Sequence, residues 1–454
     1  MPDSHPSGGC AGRSHGGRKP ARPDPGNRSN PRYGARQAGG APAGAEVVVR
    51  VRNRWSSVAA GVLAVAAGVA ALLVGANPAG ADGPGIGAQV IVTLGDSSIS
   101  GEAGRWAGNT NASSATVDAL GPTAYFDDAA DTAETMAGCH RSKAAEVHIG
   151  GGVRSANLAC SGARTATRTT DGFKPGIDFY DDGAGNRGQA AMLASYAATA
   201  NVKMVVLAIG GNNFHFASVV QACITNFLFS SWLAPNYCYD DASVSANFTN
   251  ASVSARTAEI KQAILNVRTA MTRAGYSSTR YKIVVQNYAS PIPKGSGLRY
   301  SQFGYTRQST GGCGFWNADA DWANTTALPR INTAVANAVA QAGGNAVLLN
   351  VASALNGRRL CENTVGLLEE KGLASWQAAG AVDRTEWVSM VRTLSTATGP
   401  YQLQESLHTS YWGQLALRNC VRQAYNGGNP RGGTCSRGSQ SGLNTFGEPR
   451  MTLG

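Results

Sequence analysis

No Cys-x-x-Cys pair occurs in the 454 residues, no two histidines are spaced with a carboxylate as a metal site requires, and no segment repeats. The first absence argues against a zinc ribbon or a thioredoxin-like redox motif, the second against a metal centre, and the third against a repeat architecture. No metal and no cofactor are therefore expected. Histidine is scarce: of six, only His140, His148, His215 and His408 lie beyond residue 81, so a general base has few candidates. Aliphatic side chains are almost missing from residues 1–46, which are rich in Gly, Pro, Arg, Ser and Asn and cannot bury enough apolar surface to order themselves.

Acidic charge is also in short supply at the amino end. The first 54 residues carry ten Lys and Arg against three Asp and Glu, which supplies +7 of the formal net charge of +11. Only +4 is left for the rest of the chain, so the basic pI says little about the folded part, and no nucleic-acid partner is expected. Arg50, Arg52 and Arg54 precede an uninterrupted Ala/Val/Leu/Gly run over residues 58–75, and Ala79-Gly80-Ala81 follows. A basic stretch, an apolar stretch and a small-x-small site make residues 47–81 a secretory signal peptide, with Asp82 the expected mature start and an extracellular destination. Residues 1–46 are then a disordered leader, read as an artefact of the gene model with translation starting near residues 47–49. The competing reading is a signal anchor, since the apolar run is barely long enough to span a bilayer. Its many Ala and Gly residues make a poor span, and the small-x-small site favours removal.

Nine cysteines are present, and Cys10 lies in the leader. The even number that remains in an exported chain points to disulfides throughout. Pairing between sequence neighbours is expected: Cys139 with Cys160, Cys223 with Cys238, Cys313 with Cys361, and Cys420 with Cys435.

Residues 82–454 are within reach of one α/β domain with insertions. Short strand-like runs recur at residues 90–94, 157–160, 204–209, 281–286 and 346–351. Helical patterns occupy about 253–273 and 323–341, and another starts near Tyr411. The alternation predicts a three-layer α/β/α fold around a parallel sheet of about five strands. A monomer is expected.

The first apolar run stops abruptly at Gly95-Asp96-Ser97. A serine at the carboxyl end of a parallel strand sits where such sheets bind ligands. Its hydroxyl becomes a nucleophile if a histidine takes the proton and amide donors hold the resulting oxyanion. Alone, Gly-Asp-Ser is equally well explained as a turn. Three more stretches follow in order: Asn157-Leu-Ala-Cys-Ser-Gly162, then Gly210-Gly211-Asn212-Asn213 after the third run, then Glu405-Ser-Leu-His408 near the carboxyl terminus.

Together these four blocks resemble those of the GDSL or SGNH hydrolases, which contribute Ser, Gly, Asn and His, and the resemblance spans about residues 89–425. It implies a flavodoxin-like SGNH hydrolase fold, with Ser97 as nucleophile and His408 as general base. It also implies an oxyanion hole made by the backbone N–H groups of Ser97 and Gly162 and the side-chain amide of Asn212. Cys139-His-Arg-Ser142 with Cys160 resembles secreted actinobacterial members of the family. Two positions depart from the family pattern. Glu405 stands where an Asp usually precedes the histidine by three residues, and Asn213 replaces the Asp after the third block's asparagine. Glutamate is one methylene longer, so the imidazole's orienter is either Glu405 or a main-chain carbonyl. Ser98 is a second, less favoured nucleophile. Asp96 is expected to fix the turn, and His215 to line the pocket or play a plain polar part.

The resemblance implies hydrolysis of carboxylic esters through an acyl-enzyme. Phe214, Phe216, Phe227, Leu228, Phe229 and Trp232 crowd the segment directly after the third block. This reads equally as an acyl-chain wall or lid, or as a helix sending aromatics into the core. Lipid or phospholipid esters are the first reading, with transient contact to a lipid surface. An acetyl or feruloyl esterase of polysaccharide is the second, and a non-catalytic binding module on the same fold is the reading from another class. Residues 294–322 and 356–398 are further candidate rims, in which Trp316, Trp322 and Trp387 stack on sugars or anchor the core.

Overall fold

The computed structural model describes residues 84–454 apart from 395, 397 and 398. The leader, the signal peptide and its cleavage site lie outside the described residues. Seven strands form one sheet in the order β2-β1-β3-β4-β5-β6-β7. They are β1 Gln89–Gly95, β2 Arg154–Asn157, β3 Asn201–Ala208, β4 Lys282–Gln286, β5 Ala346–Asn350, β6 Gly433–Arg437 and β7 Met451–Leu453. All neighbours pair in parallel except β6 with β7. The first five strands have the flavodoxin-like order, in which the chain reverses direction along the sheet between β1 and β3.

Val90, Ile91, Val92 and Leu94 are fully buried, as are Met204 to Leu207. Such continuous apolar runs, rather than alternating ones, belong to strands covered on both faces. β2 begins three residues earlier than its apolar run. Its polar Arg154-Ser-Ala-Asn157 makes the ladder with β1, while Leu158 N and Cys160 N continue the track by donating to Thr93 O (2.9 Å) and Gly95 O (3.1 Å). The two additional strands, β6 and β7, carry no apolar run in sequence. The first is Gly433-Thr-Cys-Ser-Arg437, and the second has only three residues.

Five helices of nine residues or more are present among the described residues: α1 Gln189–Ala197, α2 Phe216–Leu228, α3 Asn250–Arg273, α4 Leu328–Ala342 and α5 Tyr411–Tyr425. In α3, Thr249 caps the first turn by accepting from Ser252 N at 3.1 Å, and Ile260, Ala263, Ile264 and Val267 form one buried stripe. α1, α3 and α4 lie in connections that all advance in one direction, so right-handed crossovers put them on one face of the sheet. The β1-to-β2 connection runs the other way and covers the opposite face. α5 joins it there through Tyr411 N to Trp106 O (2.7 Å) and Arg418 Nη2 to Lys143 O (3.0 Å). Four disulfides close the expected neighbour pairs, Cys139–Cys160, Cys223–Cys238, Cys313–Cys361 and Cys420–Cys435. No helix among the described residues is long and apolar enough to cross a membrane.

One acid sits under the sheet's carboxyl edge with no cation in direct contact, Arg418 acting on it only through space. Glu146 is fully buried, Gln286 Nε2 donates to one of its oxygens at 3.1 Å, and its other oxygen and Gln286 Oε1 have no partner. Burial pushes the carboxyl up to about 8. Once protonated it has an O–H to offer the orphaned amide oxygen, which satisfies both groups. Because this folded-state value lies above the unfolded one, the folded chain binds more protons and loses stability as pH rises toward 8. His148, pushed down to about 4 by burial, slopes the other way, but only below its ordinary value of 6.5. Between about pH 6.5 and 8 the Glu146 slope of about 1.4 kcal/mol per unit therefore stands alone of the two. Urea titrations of Glu146→Gln are expected to lose a pH-dependent decline of about 2 kcal/mol over that range. A decline as steep as in the parent chain would reject a protonated Glu146.

Candidate active site

The site begins where β1 meets β3. Gly95 has φ 144°, and a Cβ on it would lie 2.0 Å from Ala208 O, so only glycine lets the strand end come this close to its neighbour. The buried carboxamide of Gln189 fixes the same residue, accepting from Gly95 N at 2.7 Å and donating to Gly95 O at 2.9 Å. Asp96 then caps the short helix Ser97–Ser100, accepting from Ser98 N at 3.1 Å and from Ser98 Oγ at 2.8 Å. This commits the Ser98 hydroxyl to the cap. Ser97 Oγ lies 2.6 Å from His408 Nε2. The second oxygen of Asp96 accepts from Tyr288 OH, which itself accepts from Gly211 N at 2.9 Å. Burial raises the pKa of Asp96, and the hydrogen bonds from Tyr288 and Ser98 oppose it.

His408 comes from a loop shaped by strain. Leu407 has φ 63°, uncommon for a residue with a Cβ, and the turn it makes brings Ser406 O to 3.1 Å from His408 Nδ1. An Nδ1–H donated to that carbonyl leaves Nε2 as the acceptor for the Ser97 hydroxyl. The loop is pinned by Leu407 N to Ser389 O (3.1 Å) and Ser389 N to His408 O (2.9 Å).

Glu405 has no hydrogen bond to the imidazole. Its carboxylate turns away from the imidazole and accepts from Tyr125 OH at 2.5 Å, Trp106 Nε1 at 2.8 Å and Gln402 N at 3.0 Å. The longer side chain reaches into the β1-to-β2 connection, where burial raises its pKa. Beside it, His140 Nδ1 lies 2.7 Å from Glu102 Oε1, and the His140 ring stacks on Tyr125. His140 therefore belongs to the support behind the site.

On the other side of the cleft, Asn212 Nδ2 donates to Ala163 O at 3.0 Å, which ties the third block to the loop of the second. Its amide carries a second N–H. Gly162 sits in that loop at φ 75°, next to the Cys139–Cys160 bridge, but is not among the residues lining the cleft. Asn213 turns outward, donating to Thr165 Oγ1 and to Glu259 Oε2, both at 2.7 Å. His215 stands off the cleft, near Arg164, and burial and that cation lower its pKa.

Ser97, Asn212 and His408 share a cleft of about 90 Å³. Its other walls are largely apolar and include Phe216, Pro291, Leu328, Ile331, Leu355 and Leu407. The aromatic segment after the third block divides its side chains. Phe216 reaches the cleft, Phe214 and Phe227 pack on Phe248 and Trp316 in the core, and Phe229 and Trp232 are exposed. Trp316 and Trp387 are core anchors, and Trp322 packs half-buried on Phe248. Two supports lie in stretches without a motif, Gln189 and Tyr288. The one signal for Tyr288 is its place just past the carboxyl end of a central strand.

No protein-family profile matches the chain, and no curated protein does. Among solved structures it is similar to an extracellular lipase from Streptomyces rimosus, at 19% identity over 74% of this chain and 100% of that one, with a TM-score of 0.38. A phospholipase A1 from Streptomyces albidoflavus NA297 matches at 17% identity over 74% and 99%, TM-score 0.38. A carbohydrate esterase family 2 enzyme with a carbohydrate-binding domain, from Corynascus thermopiles, matches at 13% identity over 76% and 67%, TM-score 0.31.

The Glu405 geometry is open to a direct check by magnitude. A carboxylate that orients a catalytic imidazole costs about 10⁴ in turnover when made an amide. Glu405→Gln is expected instead to lower the unfolding free energy by about 1–3 kcal/mol, through the buried partners left unpaired. Activity per folded molecule should stay within about tenfold of the parent. A ~10⁴ loss in a fully folded variant would restore Glu405 as the orienter.

Proposed function

We propose that the chain is an exported serine hydrolase of the SGNH type that cleaves carboxylic acyl esters, with lipid or phospholipid esters as its substrates. The observation that carries this reading is the 2.6 Å contact between Ser97 Oγ and His408 Nε2 at the mouth of a largely apolar cleft. Export is supported by the basic and apolar leader segments and by the four disulfides.

In this reading, His408 removes the Ser97 proton as the oxygen attacks the ester carbonyl. The Ser406 carbonyl holds the imidazole's other N–H and stabilises the imidazolium that forms. The tetrahedral oxyanion is held by the Ser97 N–H and the Asn212 side-chain N–H, fixed dipoles at the cleft, with the Gly162 N–H of the neighbouring loop as the third donor the family resemblance implies. His408 gives its proton to the leaving alcohol, which leaves the acyl group on Ser97. It then takes a proton from water, whose hydroxide adds to the acyl-enzyme, and returns it to Ser97 Oγ as the serine–acyl bond breaks and the acid is freed. The apolar walls favour an acyl chain over a sugar, because they have little to offer hydroxyl groups.

Turnover of p-nitrophenyl esters of increasing chain length, run beside acetylated xylan, tests the reading. Ser97→Ala is expected to abolish ester turnover and fluorophosphonate labelling. Asn212→Ala should lower kcat by about 100- to 1,000-fold. Activity confined to acetyl esters would move the assignment to a carbohydrate esterase, and an unlabelled Ser97 in the parent chain would make the fold a binding module.

A further inference from the structure

The apolar wall of the cleft has a second hollow on its other side. A second cavity of about 60 Å³ lies behind it, and Phe216, Pro291, Leu328, Ile331 and Leu407 wall both. Its near side is α2, whose Phe216, Val219, Val220 and Cys223 fall at helical spacing on one face. Its far side is the helical run 317–342, through Trp322, Ala323 and Ala327. Between those residues the backbone winds as a π-helix over Ala323–Ala327. The wider turn changes which residues share a face, and such turns recur at functional sites.

Two polar side chains touch this second cavity: Ser290 is anchored, and Asp319 is held through one carboxylate oxygen while its other has no partner. Ser290 Oγ donates to Ile292 O at 2.8 Å, and Asp319 Oδ1 accepts from Cys238 N and Tyr239 N at 3.0 and 3.1 Å. The rest is aliphatic, aromatic or disulfide surface. Protein interiors rarely leave voids larger than a water molecule, and an apolar void stays dry and accepts an apolar guest. Here the void shares five wall residues with the cleft that holds the serine.

We infer that the second cavity is the distal half of an acyl-binding channel, entered between Phe216 and Leu407, and that it takes the tail of a long unbranched acyl chain whose carbonyl lies at Ser97. This rests on the ester-hydrolase reading and adds to it the chain class. Short acyl groups fill the cleft alone. Longer ones gain further apolar contact between α2 and the 317–342 run, so selectivity for long chains is set by residues that never approach the serine.

Val220 and Ala327 line the second cavity and not the first, so a phenylalanine at either one fills it from opposite sides. The measured quantity is the ratio of kcat/KM on p-nitrophenyl palmitate to that on p-nitrophenyl acetate. Val220→Phe and Ala327→Phe are each expected to lower this ratio by about tenfold or more, since a few methylenes lost from an apolar pocket are worth that much. An unchanged ratio in variants that melt like the parent overturns the channel. A measurement on the parent chain covers the case in which the variants do not fold. Ser97 is labelled with a phosphonate bearing a bromine-terminated long alkyl chain, and tryptophan emission is compared with that of an ethyl phosphonate adduct. Quenching that disappears in Trp322→Phe is expected, and equal emission from the two adducts overturns the channel. Absence of labelling and of turnover on every ester, acetate included, instead sinks the ester reading itself, and the channel with it.

Discussion

The site depends on the contact between the end of β1 and the end of β3. Gly95 meets Ala208 with no room for a side chain, and Asp96 N donates to Ala208 O at 3.0 Å. Two parallel strands held this closely put the residues that follow them on adjacent loops, and Ser97 follows one strand while Asn212 follows the other. Because the sheet order reverses between these two strands, their loops diverge and leave a crevice. Asp96 and Tyr288 then join the loops from below, one hydroxyl accepting from Gly211 and donating to the cap of the serine helix. A disturbance at Gly95 would therefore reach the nucleophile and the amide donor together.

Electrostatics sets what the pair of side chains can do. A neutral carbonyl at His408 Nδ1 fixes the tautomer, but it stabilises an imidazolium less than a carboxylate at the same distance would. The acids that surround the pair are committed elsewhere. Asp96 caps a helix, Glu102 holds His140, and Glu405 serves Tyr125 and Trp106. Their carboxylates are buried, where charge is screened little, so they contribute a field without touching the imidazole.

Much of this was legible in the sequence, for physical reasons that differ by element. The runs at 90–94, 204–209, 281–286 and 346–351 point to the central strands because a strand buried on both faces must be apolar along its length, whereas the run at 157–160 only marks the end of the polar edge strand β2. β6 and β7 were invisible because Gly433-Thr-Cys-Ser-Arg437, half-exposed beside a three-residue edge strand, has no need of that pattern. Three of the four blocks give residues that meet at the cleft, Ser97, Asn212 and His408, while the second block's Gly162 lies beside it. The orienter of His408 could not be read. A main-chain carbonyl has no side-chain signature, and the positive φ of Leu407 that aims it has none either. Glu405 sits at the expected spacing and is drawn away by Trp106 and Tyr125, residues about 300 and 280 positions distant. Spacing within a loop reports neighbours along the chain, and these partners are neighbours only in the fold.

The long connections raise a final question of rigidity. The chain between β1 and β2, and that between β5 and α5, hold little regular structure, yet they supply His140, Glu405 and His408. Loops of that length are ordinarily mobile, and a catalytic hydrogen bond tolerates little movement. Cys139–Cys160 joins the first connection to the loop of Gly162, and Cys313–Cys361 joins the chain after β4 to that after β5. Cys223–Cys238 closes the segment that follows α2, with a sequence separation of 15. A closure of that size removes about 3 kcal/mol of unfolded-state entropy in the chain-entropy account. Three of the four bridges thus close irregular parts near the cleft, the fourth ties α5 to β6, and strands β1, β3 and β4 contain none. Where the sheet holds residues by its ladder, crosslinks add little; where loops must hold them, covalent closure substitutes for the missing hydrogen-bond network. An oxidising compartment is then a condition for the geometry of the site as well as for the stability of the fold.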